Sequence, residues 1–385
     1  MDAMNFNFLC ASPTMPQNRS VAVIGAGPSG LAAAGYLSCL GYQVDVYDKL
    51  PKPGGLMLFG IPSSRISSER IDRGVKNMSK QFGVNFHQNA KICCSAPMHD
   101  EEGDHFTADV IGLRDLVTRF DAIMIATGAW KSKTLGIEGE NLPEVFTSLR
   151  FLFPIRAAHY NTDRVHMPDI CGKTVAVIGA GHSAVDAAAE AIRLGAGTVH
   201  HLYRRTKAEA PCGSHEIDQL QELGVLWHEY MTPLRILGNT HVEAIELSQK
   251  TAGPPDEFGK RRPLPESEQT VTFPVDIVIT ALGEVSTPPF AEELGLGNVR
   301  KGDVRWLHMT AIDNVFVAGD ALTGPSKIGK AIYSGLRAGR SLANWLDLHA
   351  VGRESEFKDN ERINDEADRF PGGQFRDRPQ LPKRK

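Results

Sequence analysis

Two glycine-rich turns of the same design occur in this chain, each between a β-branched run and an alanine-rich stretch. The first is Ser20-Val-Ala-Val-Ile-Gly-Ala-Gly-Pro-Ser-Gly30, the second Lys173-Thr-Val-Ala-Val-Ile-Gly-Ala-Gly-His-Ser-Ala184. A strand that ends in such a turn and feeds a helix opens a dinucleotide-binding βαβ unit. Gly25 and Gly179 permit the tight turn. Gly27 and Gly181 let the backbone approach a pyrophosphate, which rests on the N-terminus of the next helix. Gly30 and Ala184 keep that helix close to its strand. A single glycine turn can serve packing alone. Two, each with strand before and helix after, imply an α/β chain with two Rossmann-like domains and two dinucleotides, most simply a flavin and a nicotinamide exchanging hydride.

At 385 residues the chain has room for two domains, and 42% hydrophobic residues suffice for their cores. A net charge of −4 gives no electrostatic case for nucleic acid. No apolar run is long enough to span a membrane. Met1 to Arg19 lacks the basic start and long apolar core of a secretory signal, so the expected location is cytoplasmic. The six cysteines, Cys10, Cys39, Cys93, Cys94, Cys171 and Cys212, contain no C-x-x-C or C-x4-C pair. That spacing argues against a redox-active disulfide and against an iron–sulfur or zinc site, and no metal is expected.

Along the chain, Val21–Ile24, Gly27–Leu40 and Val44–Tyr47 read as strand, helix, strand, closed by Asp48. Asp48 follows Gly30 by 18 residues, close to the spacing at which an acidic side chain reaches an adenosine ribose hydroxyl. The segment Leu50 to Pro62 is too rich in Gly and Pro for helix or strand, and its glycines suit a loop lying along a cofactor. Ser68 to Phe82 has helical spacing. Asp121 to Gly128 is a buried strand running into a Thr-Gly turn. The polar, Pro-rich Thr251–Glu268 is expected as an exposed loop within an antiparallel meander. Asn314 to Asp320 reads as a strand ending in Gly-Asp, followed by a long helix from Lys327 to Leu348. Residues 1–19 and 350–385 read as tails with too little apolar content to fold alone.

From about Ser20 to Leu346 the chain resembles the small (β) subunit of glutamate synthase and its relatives. The residues that carry the resemblance are Gly25-Ala-Gly-Pro-Ser-Gly30, Gly54-Gly-Leu-Met-Leu-Phe-Gly-Ile-Pro62, Ile125-Ala-Thr-Gly-Ala129, Gly179-Ala-Gly-His-Ser-Ala184, Tyr203-Arg-Arg205 and Val317-Ala-Gly-Asp320. The resemblance implies a nicotinamide domain (136–285) inserted in an FAD domain (20–135 and 286–349). Gly25, Gly27, Pro28, Ser29, Gly30, Asp48, Lys49, Gly54, Gly55, Leu56, Ala126, Thr127, Gly128, Gly319, Asp320 and Ala331 would hold FAD. Gly179, Gly181, His182, Ser183, Ala184, Arg204, Arg205 and Gly283 would hold NAD(P)(H). The helix after Gly319-Asp320 would point its N-terminus at the flavin, where its dipole suits the charge of the reduced ring. The family's cysteine-rich N-terminal domain has no counterpart in residues 1–19, which makes a separate iron–sulfur partner the expectation.

Arg204 and Arg205 follow the second strand of the second βαβ unit, where an acidic residue would ordinarily bind the ribose of NAD. A planar guanidinium fork suits a 2′-phosphate, so NADP is expected before NAD. Hydride transfer between two held rings needs no general base, and no acid–base residue is assigned. Glu216 reads as a capping or surface group. The expected function is an FAD-containing electron-transfer subunit, glutamate-synthase-like or aldehyde-oxidoreductase-like, that exchanges hydride with NAD(P)(H) and electrons with an iron–sulfur partner. The alternatives are a free-standing NAD(P)H oxidoreductase reducing ferredoxin, quinone or a small acceptor, and a non-catalytic nucleotide-binding scaffold subunit.

Overall fold

The computed structural model describes residues 4–93, 101–160, 167–255, 261–285, 310, 312 and 314–353. Two compact units divide the chain: Met1–Met57, Ser67–Trp130 and Ser286–Lys385 form the first, Leu58–Ile66 and Lys131–Val285 the second. The elements run β1 (Ser20–Ile24), α1 (Pro28–Cys39), β2 (Gln43–Tyr47), α2 (Leu56–Phe59), α3 (Ser68–Phe82), β3 (Asn85–His87), β4 (Ala90–Cys93), β5 (Asp109–Gly112), α4 (Leu113–Arg119) and β6 (Ala122–Ile125). In the second unit follow β7 (Lys131–Ser132), β8 (Val145–Thr147), α5 (Ser148–Ala157), β9 (Thr174–Ile178), α6 (His182–Arg193), β10 (Thr198–Leu202), α7 (Ser214–Glu222) and β11 (Leu226–His228). The unit continues with β12 (Met231–Leu237), β13 (Ala244–Pro255), β14 (Arg261–Pro274), β15 (Ile277–Thr280) and β16 (Glu284–Val285). The chain then returns to the first unit with β17 (Val315–Val317), α8 (Asp320–Thr323) and α9 (Ile328–His349).

In the first unit a parallel sheet runs β17-β6-β1-β2-β3. Val21, Ala22 and Val23 of its central strand are all at 0% exposure, as a parallel strand covered on both faces must be. The order reverses at β1, whose C-terminal end carries the first glycine turn, at the switch point where α/β sheets bind ligands. α3 has the bounds its sequence predicts. Ser67 caps it by accepting the Arg70 N–H, Gly83 ends it in a left-handed conformation, and Ile71, Gly74, Met78 and Phe82 form its buried stripe. α1 and α9 approach through glycine: a Cβ on Gly335 would run into the Ser29 carbonyl.

The second unit is built on a parallel sheet ordered β11-β10-β9-β15-β8. Val175 and Val177 of β9 pack with Ala184, Ala187 and Ala188 of α6, while Ala176 and Ile178 on the alternate face pack with Ile245 and Leu247 of β13. An antiparallel sheet, β12-β13-β14, supplies that second layer.

Two expectations need correction. The exposed loop at Thr251–Glu268 is largely a hairpin: Thr251 pairs with Leu264 and Pro255 with Arg261, and only 256–260 lie outside the described residues. The N-terminal segment is not a loose tail. Phe6 is 1% exposed, and the Met4 N–H donates to Arg70 O. Cys10 is disulfide-bonded to Cys39. A few apolar and amide groups suffice to dock it because α1 and α3 offer glycines as seats. The C-terminal tail beyond Arg353 lies outside the described residues. No described helix is long and apolar enough to cross a membrane.

Candidate functional site: two dinucleotide cradles

The first cradle belongs to the first unit. Gly25 has φ +103°, and a Cβ there would run into the Ala126 carbonyl at the end of β6. Gly30 has no room either, because its Cβ would strike Gly25 O. Gly27 is different. Its φ of −73° suits any residue, and a Cβ there would meet nothing within 4 Å. Neither backbone strain nor crowding within the chain calls for a glycine at this position. Pro28 opens α1 at its first turn, where its missing N–H costs nothing.

Around this opening the other expected residues gather. The Gly54 N–H donates to Ala26 O at 2.8 Å, so the Gly-rich loop lies on the first turn. Gly55, at φ +53°, lies close enough that its Cβ would stand 2.8 Å from Gly27 Cα. Leu56 begins α2 directly after it. Ala126 donates its N–H to Ile24 O at 2.7 Å, and Gly128 has φ +79°. Gly319, at φ +67°, faces Ser29, whose Cβ would be 2.7 Å from an added side chain. Asp320 accepts the Ser326 hydroxyl at 2.6 Å, and burial raises its carboxyl pKa. Ala331 is buried in the first turn of α9, at 5% exposure.

Asp48 holds the first turn in shape. It is 8% exposed, and accepts the Ala26 N–H through Oδ2 at 2.5 Å and the Leu50 N–H through Oδ1 at 2.8 Å. Burial pushes its carboxyl up, and those two bonds, with Lys49 nearby, pull it back. Lys49 itself is engaged elsewhere. Its ammonium lies 3.0 Å from both Glu101 and Asp104 and 4.1 Å from the Trp130 ring centroid.

The second cradle belongs to the second unit and repeats the geometry. Gly179 has φ +129°, and a Cβ there would run into the Ala281 carbonyl; Gly181 has nothing within 4 Å. His182 and Ser183 are the first two residues of α6, and Ala184 follows fully buried. Gly283, at φ +87°, also faces open space. Arg204 and Arg205 are exposed just after β10, and among the described residues no carboxylate pairs with either.

Two features near the second turn, His201 and Arg65, are absent from the sequence reading. His201 in β10 is at 0% exposure and donates from Nε2 to Gly179 O at 2.7 Å. Burial lowers its pKa to about 4, so it stays neutral. It braces the second turn as Asp48 braces the first. Arg65 bonds Asp186 of α6 through Nε at 2.6 Å and Glu216 of α7 through a terminal nitrogen at 2.8 Å. Glu216 is thus an ion-pair partner and not a free capping group. Cys212 is a free thiol whose pKa burial raises, which makes it a poor nucleophile. Periodicity could not have found His201 or Arg65, since each acts through a distant segment.

The residues present fit the two dinucleotides. Both second glycines have open space where a Cβ would stand, and the buried hydroxyls of Ser29 and Thr127, at the rim of the first cradle, have no hydrogen-bond partner among the described residues. Buried polar atoms of that kind call for a bonding group from outside the chain. Among the described residues no cluster of His, Cys, Asp and Glu could hold a metal.

Known proteins point the same way. The family profile of the pyridine nucleotide-disulphide oxidoreductases matches residues 19–335. The chain is 32% identical over 334 residues to the NADP(+)-dependent formate dehydrogenase subunit beta of Moorella thermoacetica, covering 85% of this chain and 44% of that one. It is 30% identical over 342 residues to the glutamate synthase [NADPH] small chain of Halomonas elongata, covering 86% of this chain and 69% of that one. Another relative, the putative glutamate synthase [NADPH] small chain of Cereibacter sphaeroides, is 32% identical over 348 residues and is covered to 80%. The fold is shared with FprA of Mycobacterium tuberculosis, solved with NADPH, at a TM-score of 0.67 and 20% identity over 88% of this chain and 86% of that one. The chain spans about half the length of several relatives it matches, and it belongs to the pyridine nucleotide-disulphide oxidoreductase family, with glutamate synthase small chains among its homologues.

Proposed function

We propose that the chain is the electron-transfer subunit of a larger redox complex, exchanging hydride between NADP(H) and FAD and electrons with an iron–sulfur partner. One observation carries the reading: a single chain holds two glycine cradles, each with its second glycine facing open space. A scaffold subunit would have no use for both. The named relatives are themselves a beta subunit and small chains, which favours an assembly over a free-standing enzyme.

Bound FAD supplies the conversion between two-electron hydride and single-electron steps. The chain's part is to bind and orient. We assign 20–135 and 286–349 to FAD and 136–285 to the nicotinamide nucleotide. Pro28, Ser29 and Gly30 present the N-terminus of α1 to a pyrophosphate, with Gly27 leaving room for it. Thr127 and Ser29 offer their unpartnered hydroxyls. His182, Ser183 and Ala184 present the N-terminus of α6 to the second pyrophosphate. Arg204 and Arg205, exposed and with no carboxylate partner among the described residues, suit a 2′-phosphate. The proposal places the protein in the cytoplasm.

The test is to isolate the native protein from its own cells without denaturants. Co-purification of a protein carrying acid-labile sulfide, reduced by NADPH only when this chain is present, is the expected result. A monomer that reduces soluble acceptors at full rate and retains no partner would favour a free-standing enzyme.

A further inference from the structure

Residues 4–17 form a strap across the first unit, and one covalent bond fastens it to the helix that presents the first cradle. Cys39, the last residue of α1, is 1% exposed. Its disulfide partner Cys10 is only half-buried. The strap touches α1 and α3 through glycines: a Cβ on Gly35 would run into Phe6 O, and one on Gly74 into Met4 O. Asn7 is 2% exposed and donates from Nδ2 to Gly35 O and Ser38 Oγ, each at 3.1 Å. Further along, the Thr14 N–H donates to Cys39 O at 3.2 Å and Gln17 Nε2 to Leu40 O at 2.8 Å. The strap thus supplies donors to the C-terminal carbonyls of α1, which a helix leaves unpaired.

We propose that Cys10–Cys39 is a redox-sensitive clasp, opened by a dithiol reductant, that sets how firmly α1 and the strap hold the FAD cradle. In a cytoplasmic protein a disulfide is more often a sensor than a structural fixture. Access to the bond is one-sided. Cys10 lines a cavity of about 240 Å³ with Met4, Asn5, Asn7, Gly74 and Asn77, whereas Cys39 is enclosed. A thiolate entering there attacks the Cys10 sulfur and expels Cys39 as thiolate. Asn7 Nδ2, 3.9 Å from Cys39 Sγ, is placed to donate to the leaving sulfur. The dithiol's second thiolate then attacks the mixed disulfide and releases Cys10. Two electrons and two protons pass from the dithiol, which becomes a disulfide, to the two cysteines. α1, with its 12 residues, is about 18 Å long. The bond therefore lies at the opposite end from Pro28–Gly30 and takes no part in hydride chemistry there.

Opening the clasp frees the loop between residues 10 and 39 and leaves the strap held by noncovalent contacts, Phe6 and the Asn7 hydrogen bonds among them. The effect on flavin rests on the assignment of the first cradle to FAD, while the bond itself does not. Two readouts separate them. The holoprotein purified without reductant is first alkylated under denaturing conditions and its peptides mapped by mass. A linked Cys10–Cys39 pair beside alkylated Cys93, Cys94, Cys171 and Cys212 is expected, and alkylation of both Cys10 and Cys39 would overturn the proposal. FAD release after dilution and the melting temperature are then followed with and without dithiothreitol. Reduction should speed release several-fold and lower melting by several degrees. Cys10→Ser should show the reduced behaviour at the outset and ignore the reagent, while Cys93→Ser should still respond. Equal release and melting with and without dithiothreitol, or a response that survives in Cys10→Ser, would defeat the clasp.

Discussion

Asp48 accepts the Ala26 N–H at 2.5 Å, so the end of the second strand pins the turn that ends the first. With the Leu50 N–H on its other oxygen, this buried carboxylate has a structural duty besides any bond to a ribose. Asp48→Ala leaves two buried donors unsatisfied, each costing about 1–3 kcal/mol. The variant should melt lower and be isolated with little FAD. Asp48→Asn, which keeps one acceptor oxygen, should fall between. The check is flavin absorbance per chain alongside thermal denaturation.

Gly27 and Gly30 should separate binding from folding. A Cβ at position 27 meets nothing within 4 Å, whereas one at 30 strikes Gly25 O. Gly27→Val should give a folded, colourless protein whose circular dichroism matches that of the flavin-free parent. Gly30→Val should not reach a native fold in comparable yield.

His201 gives the protein an acid limit. Its pKa is lowered to about 4 by burial from an ordinary value near 6.5. Because the folded value lies below the unfolded one, its contribution is complete above about pH 6.5. It is lost as pH falls from there towards 4, and amounts to roughly 3 kcal/mol over that window. His200 and His228, whose ring nitrogens lie 3.0 Å apart, are also shifted down by burial and add in the same direction. Melting temperature should drop between pH 7 and pH 4.5, and less steeply in His201→Gln. Parallel slopes for parent and variant would remove His201 from the explanation.

Arg204 and Arg205 should set the choice of nucleotide. Replacing both with Gln removes charge-assisted bonds of about 1.5–3 kcal/mol, or about ten- to a hundredfold. The KM for NADPH should rise by that much while the KM for NADH hardly moves. Steady-state rates with a dye acceptor will show it, and equal changes for the two nucleotides would mean the arginines do not discriminate.

The parts of the fold that were legible in the sequence are those governed by local rules. Each glycine turn announces itself through residues that must be small, and α3 through its capping serine, apolar stripe and terminal glycine. What stayed hidden depends on contacts between distant segments. Cys10 and Cys39 carry no spacing signal, and their pairing follows only from where the strap lies on α1. His201 reads as one more residue of a buried strand until the Gly179 carbonyl is placed beside it. Gly35 and Gly335 look like weak points of their helices, yet they are seats for the Phe6 and Ser29 carbonyls. The Pro-rich 251–268 reads as loop because proline cannot donate to a ladder. β13 and β14 nevertheless continue through it, with shifts in register at Gln249/Thr251 and Ala252/Pro255.

If this one chain binds both FAD and NADP(H), hydride passes between them within it. Anaerobic titration of the purified holoprotein with NADPH, followed by flavin absorbance, tests it most directly. One FAD per chain is expected, bleached stoichiometrically by NADPH and much less readily by NADH, with bleaching abolished in Gly181→Val while the flavin stays bound. A chain that cannot be loaded with FAD, or whose bound flavin NADPH leaves oxidised, would contradict it.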